Sequence, residues 1–246
     1  MRKLIEVCCC STDDAINAYR GGADRIELNS TIEAGGLTPT LGCLRAVKER
    51  VDIPVITMIR PRTGGFCYTD LEFVTMKEDA KIMLENGADG IAVGILNPDA
   101  TIDTERMQEM ADICRAYGKE IVCHRAIDVT PDPVKAAEIV MGLGFTRILT
   151  SGGQQRCLEG IDTINRMQEL YGDRIQILAC GSVRPTNLNE ILSKTDVQQF
   201  HMAPMCVLND TSMNGKTIKF NGAPRDAEYT QIDENSVREA MKIVKS

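Results

Sequence analysis

Tryptophan is absent from this chain, and its 246 residues include only five phenylalanines, five tyrosines and two histidines. So thin an aromatic complement disfavours platforms on which nucleic-acid bases stack. A net charge of −7 adds no sequence-independent grip on a phosphate backbone, so no nucleic-acid partner is expected. No run approaches the ~20 apolar residues that a membrane span requires, and no membrane partner is expected either. The opening Met1-Arg2-Lys3-Leu4-Ile5-Glu6 places an acid where a secretory signal would be apolar. These absences point to the cytoplasm. There the ten cysteines stay mostly as thiols, and because no two of them form a CxxC pair, the usual structural zinc framework is missing.

What is present is alternation. Short β-rich runs at Leu4–Cys10, Arg25–Asn29, Val55–Arg60, Gly90–Ile95, Glu120–Asp128, Arg147–Ser151, Gln176–Gly181 and Gln198–Met202 give eight strand candidates. Helical runs fill the gaps, at about 12–20, 39–50, 70–86, 104–117, 133–142, 157–171, 186–194 and 234–245. Thr69-Asp70-Leu71-Glu72 reads as a capping box, while Thr38-Pro39 and Asp132-Pro133 place proline at a first helical position. Glycines close helices directly before strands, as in Gly22-Ala23-Asp24-Arg25 and Gly87-Ala88-Asp89-Gly90. Eight βα units in about 250 residues predict an α/β fold, a (β/α)8 TIM barrel, rather than an open doubly wound sheet. No linker interrupts the pattern, so residues 1–246 read as one domain, with an irregular insertion at about 205–233 serving as a lid, a subunit contact or a solvated loop.

In such a barrel the chemistry sits at the C-terminal ends of the strands. Side-chain alternation puts Glu6, Cys8 and Cys10 on one face of the first strand, and Arg25, Glu27 and Asn29 on one face of the second. Apolar residues on the opposite faces must meet the helices, so the charged faces look inward, as a structural salt-bridge lattice or as a polar cup for a small ligand. Arg60, Arg62, His124, Arg125, Asp128 and His201 also fall late on strands. Glu6, Glu27, His124, Asp128 and His201 would suffice for acid–base chemistry next to a carbonyl. Arg60 and Arg62 suit a carboxylate or phosphate, or else neutralise Glu6 and Glu27. The turns at Ser151-Gly152 and Gly181-Ser182 either offer backbone N–H groups to an anion or are plain tight turns. Lysine is missing from every C-terminal strand end, which argues against a Schiff-base aldolase. A divalent metal on His124, His201 and the acids lacks any HxH or HExxH spacing in support. Soft ligands for Cu(I) are present in Cys8, Cys10, Met202, Met205 and Cys206. Yet Cys8 and Cys9 point to opposite faces, and both residue types also serve as buried hydrophobes.

The chain resembles the CutC family of copper homeostasis proteins. The resemblance rests on Ile5-Glu6-Val7-Cys8-Cys9, Gly22-Ala23-Asp24-Arg25-Ile26-Glu27-Leu28, Gly35-Gly36-Leu37-Thr38-Pro39, Ile59-Arg60-Pro61-Arg62, Phe66-Cys67-Tyr68, His124-Arg125-Ala126-Ile127-Asp128, Leu149-Thr150-Ser151-Gly152 and Gly181-Ser182-Val183-Arg184. It spans roughly residues 4–202 and implies a TIM barrel, a cytoplasmic role in copper tolerance or trafficking, and a homo-oligomer (dimer or tetramer). It also implies copper on cysteines, which fall here on Cys8 and Cys9. The alternative is an enzyme acting by acid–base chemistry on a small anionic or phosphorylated metabolite, held by Arg60, Arg62, Ser151, Gly152, Gly181 and Ser182.

Overall fold

Strands that are apolar on their outward face need a cover of helices, and the βα repeat supplies it. The structure is a computed structural model and describes residues 2–213, 215 and 227–245. Strands β1 (Leu4–Cys9), β2 (Arg25–Leu28), β3 (Val55–Met58), β4 (Gly90–Val93), β5 (Glu120–Cys123), β6 (Arg147–Thr150), β7 (Gln176–Ala179) and β8 (Gln199–Met202) pair in parallel in that order, and β8 closes onto β1. The ring of helices is α1 (Thr12–Gly21), α2 (Leu41–Lys48), α3 (Asp70–Glu85), α4 (Thr104–Ala116), α5 (Pro133–Gly142), α6 (Ile161–Tyr171), α7 (Pro185–Lys194) and α8 (Glu234–Lys245). The chain is thus a (β/α)8 barrel. Among the described residues no helix is long and apolar enough to cross a membrane.

Outward-facing Ile5, Val7, Cys9, Ile26 and Leu28 are fully buried in the layer between barrel and helices. A buried aliphatic side chain of this kind contributes roughly 1.5–3 kcal/mol. Helix starts follow the local chemistry. Thr69 and Glu72 form the reciprocal capping box of α3, and Asp132 caps α5 with Pro133 at its first position. The Thr38-Pro39 expectation does not hold: α2 begins at Leu41, where the Thr40 hydroxyl accepts from Cys43 N. The run 157–171 is also split, into a short 3-10 turn at Cys157–Glu159 and α6, because Gly160 is pressed against the carbonyl of Ser151.

Two further differences bear on the site. Strand β5 stops at Cys123 instead of reaching Asp128. The His124 ring accepts from Ala126 N, and the chain turns into a 3-10 helix over Arg125–Val129. The stretch expected to be irregular carries two antiparallel strands, β9 (Met205–Asn209) and β10 (Glu228–Ile232). Residues 214 and 216–226 of that stretch lie outside the described residues, and with them part of the expected lid or contact.

The barrel interior is divided. An apolar plug of Ile56, Met58, Ala92, Val122, Leu149, Leu178 and Cys180 fills the side of β3 to β7. Polar side chains enter from β1, β2 and β8, with Glu6 in register with Arg25 and His201, and Cys8 in register with Glu27. The first residues of β2, β5, β6, β7 and β8 are Arg25, Glu120, Arg147, Gln176 and Gln199, and together they build a floor. Arg147 donates to Glu120, Gln176 and Gln199, while Arg25 donates to Gln199.

Candidate functional site

Above that floor, the polar residues of β1, β2 and β8 separate into an ion pair below and a ligand-like cluster above. The Arg25 guanidinium is bound to the Glu6 carboxylate, and both are buried. The second oxygen of Glu6 meets His201 Nδ1 at 2.8 Å. Burial by itself would raise the Glu6 carboxyl, but Arg25 and His201 hold it far below the usual carboxylate range. The Glu6 carboxylate therefore accepts the Nδ1 proton, leaving His201 Nε2 as the atom turned toward Glu27, 3.8 Å from its carboxylate. A carboxylate holding the far ring nitrogen in this way fixes the tautomer and the orientation of a metal-binding histidine. Burial pushes the His201 pKa down, yet Glu27 and Glu6 together bring it above 6.5. Glu27 itself is raised by burial, with Glu6 adding to the shift against the pull of His201. Asn29 Nδ2 steadies Glu27 at 2.9 Å and lies 3.3 Å from Cys8 Sγ.

Cys8, Glu27 and His201 each present one donor atom, all within 4.8 Å of one another, the one such cluster among the described residues. A thiol, an imidazole and a carboxylate from three adjacent strands fit a transition-metal ion with mixed sulfur, nitrogen and oxygen preference. The Cys8 thiol is raised well above its ordinary value by the neighbouring Cys10 thiol, by burial and by Glu27, so a metal has to displace its proton. Cys9 does not join. Its side chain is buried on the opposite, helix-facing side, with its thiol directed to the Val7 carbonyl. An adjacent pair on a strand cannot converge on one ion, which corrects the expectation of a Cys8–Cys9 set.

The cluster forms one wall of a cavity of about 230 Å³ at the barrel mouth, closed on the other side by Arg60, Phe66, His124 and Arg125. Gly94 makes room for the His124 ring, since a Cβ there would sit 2.6 Å from its Cε1. Burial, then the nearby Arg60 charge, lowers the His124 pKa to about 3, so the ring is neutral at physiological pH. Arg60 is buried but does not neutralise Glu6 or Glu27. Its Nη atoms donate to the carbonyls of Ala34, Gly36 and Gly64 at 2.8–2.9 Å, clamping the loops that frame the mouth. Arg62 points away from the cavity, toward Glu72 and the carbonyls of residues 63, 65 and 67.

Asp128 is also spoken for. Its carboxylate accepts from Thr150 Oγ1, Ser151 N, Ser151 Oγ and Gly153 N at 2.6–3.1 Å, and from Arg125 Nε at 2.9 Å. The turn that looked ready for an external anion therefore already holds an internal one. Gly152 N donates to Thr150 Oγ1, and Gly181 offers its carbonyl, not its N–H, to Cys157. Ser182 is exposed and its carbonyl accepts from Asn187. Of the polar residues singled out in the sequence, Cys8, Glu27, Asn29, Arg60, His124, Arg125 and His201 share the cavity. Glu6 supports it from beneath, and Arg62, Asp128, Gly152, Gly181 and Ser182 do not line it. Phe66 was read only as part of a family motif, and the floor residues other than Arg25 escaped notice, although a polar residue opening five of the eight strands was a readable signal.

The chain as a whole has relatives. The CutC family profile matches residues 3–205. A CutC family protein of Treponema denticola is 41% identical over 242 residues, covering 98% of both chains. The copper homeostasis protein cutC homolog of Homo sapiens is 44% identical over 198 residues, 80% of this chain and 72% of that one. The crystal structure of CutC from Streptococcus agalactiae superposes with a TM-score of 0.75 at 34% identity, over 81% of this chain and 97% of that one. This chain belongs to the CutC family.

Proposed function

We propose that the protein serves copper homeostasis by holding a copper ion at the barrel mouth on Cys8, Glu27 and His201. The observation that carries this reading is the convergence of those three donors within 4.8 Å, with His201 oriented through Nδ1 by the Arg25-anchored Glu6. Relatives named for copper homeostasis support copper as the ion. A thiolate beside an imidazole favours copper over the hard cations magnesium and calcium. Copper is cargo in this reading, taken up with loss of the Cys8 proton. The same reading places the protein in the cytoplasm as a homo-oligomer, which fractionation and sedimentation velocity test.

Competition for Cu(I) against a chromogenic chelator tests the site itself. Cys8→Ser and His201→Gln are each expected to weaken binding at least tenfold, whereas Cys9→Ser leaves it unchanged because that thiol faces the helices. Equal affinity in wild type and Cys8→Ser would remove the strand-one thiol from copper binding.

A further inference from the structure

The wall of the cavity opposite the donor cluster carries a different chemistry, independent of any metal. Arg60 is 6% exposed, and among the described residues no carboxylate lies within ion-pair distance of it. Three backbone carbonyls, the face of Phe66 at 5.3 Å and the hydroxyl of Tyr68 surround it. None of these carries the opposing charge that a buried guanidinium needs, and an uncompensated buried charge costs several kcal/mol. Its Nε–H has no partner.

His124 is 3% exposed and stands on the same wall, its ring 5.1 Å from that of Phe66. Ala126 N–H donates to Nδ1, so the proton of the neutral ring sits on Nε2, and that N–H is also buried without a partner. The cavity thus faces a cation lacking a counter-ion and a neutral imidazole donor lacking an acceptor. Both shortfalls are met by one anionic oxygen ligand.

We infer that the cavity binds a small organic carboxylate, which accepts from His124 Nε2–H and faces the Arg60 guanidinium. A phosphate fits less well. Phosphate sites in barrels draw on backbone N–H groups of late turns, and here Asp128 already takes those of Ser151 and Gly153. The remaining walls of Ile32, Met58, Phe66 and Leu149 suit a short carbon skeleton. At roughly 30 Å³ per water-sized volume, the cavity has space for a ligand of about three to six carbons. A histidine kept neutral as a hydrogen-bond donor is also the form that polarises a carbonyl oxygen in other barrels, so His124 acts here as donor and not as proton carrier.

With two histidines in the chain, both imidazoles can be followed individually by 1H–15N spectroscopy on chelator-treated, metal-free protein. Sodium pyruvate and sodium succinate are the probes, with inorganic phosphate and acetamide as comparisons. At least one carboxylate is expected to shift the His124 Nε2 signal saturably. His124→Asn keeps an acceptor for Ala126 N–H while deleting the Nε2 donor, so it should fold and bind that carboxylate about tenfold or more weakly. No saturable shift with either carboxylate, an equal response to acetamide, tighter binding of phosphate, or undiminished binding by a folded His124→Asn each overturns the inference. The copper competition is read separately, so either proposal can fail alone.

Discussion

Replacing Glu6 by glutamine removes one charge from the most enclosed ion pair of the barrel. The Glu6 carboxylate is 3% exposed and is shared by Arg25 and His201. Breaking a buried pair from one side costs about 3–5 kcal/mol, because the remaining charge stays buried without its partner. Arg25 keeps its bond to Gln199 at 2.7 Å, which favours the lower end, about 3 kcal/mol. For a chain of this length each kcal/mol moves the melting temperature by roughly 2–4 °C, so Tm should fall by roughly 6–12 °C. A second readout is His201. Its pKa is raised because Glu27 and Glu6 outweigh burial, and with Glu6 neutral it should drop, seen in an NMR titration. The sign of the linkage follows: a raised histidine adds stability that is complete below 6.5 and fades as pH climbs through the folded-state value. Glu6→Gln should flatten that alkaline decline. Adding Arg25→Met removes the orphaned cation, so the double variant should lose less than the sum of the singles. A Glu6→Gln protein melting within about 2 °C of wild type, with His201 titrating as before, would refute the buried-pair reasoning.

Asp128→Asn exchanges a carboxylate with five donors around it for an amide whose nitrogen must face some of them. Urea denaturation should show a loss of about 3 kcal/mol or more, and an unchanged midpoint would mean that the turn after β6 does not depend on this anion. His124 makes the opposite pH prediction to His201. With a folded pKa near 3, it withholds a proton that the unfolded chain takes up below 6.5, so stability falls as pH drops, by up to ~1.4 kcal/mol per pH unit. His124→Asn should lose that acid-side slope, and an acid limb identical to wild type contradicts the neutral, buried assignment.

Much of the barrel was legible because local rules act over a few residues. Period-two alternation in Glu6-Val7-Cys8 and Arg25-Ile26-Glu27 separates an inward polar face from an outward apolar one, and the side chains lie as that alternation requires. The Thr69–Glu72 box and Asp132-Pro133 mark helix starts through contacts no more than three residues long. Strand ends are harder to read. Whether β5 continues past Cys123 depends on the His124 ring capturing Ala126 N–H, a choice between a local cap and a ladder bond that hydropathy does not register. The β9–β10 pair joins Met205 to Ile232 across 27 positions, beyond the reach of turn chemistry.

The sequence by itself determined that eight alternating units would close and that Cys8, Glu27, Arg60 and both histidines would lie toward the C-terminal ends of their strands. Strand parity and the need to bury apolar faces are local properties of the chain, and they suffice for that much. Only the tertiary structure decided which of those groups meet. It set Cys8 beside Glu27 and His201 while sending Cys9 outward, gave Asp128 to the turn after β6, and left Arg60 among carbonyls with no acid of the described residues beside it. Partner choice inside a barrel depends on stagger between strands far apart in the chain and on competition among buried donors and acceptors, and neither is written at any one position.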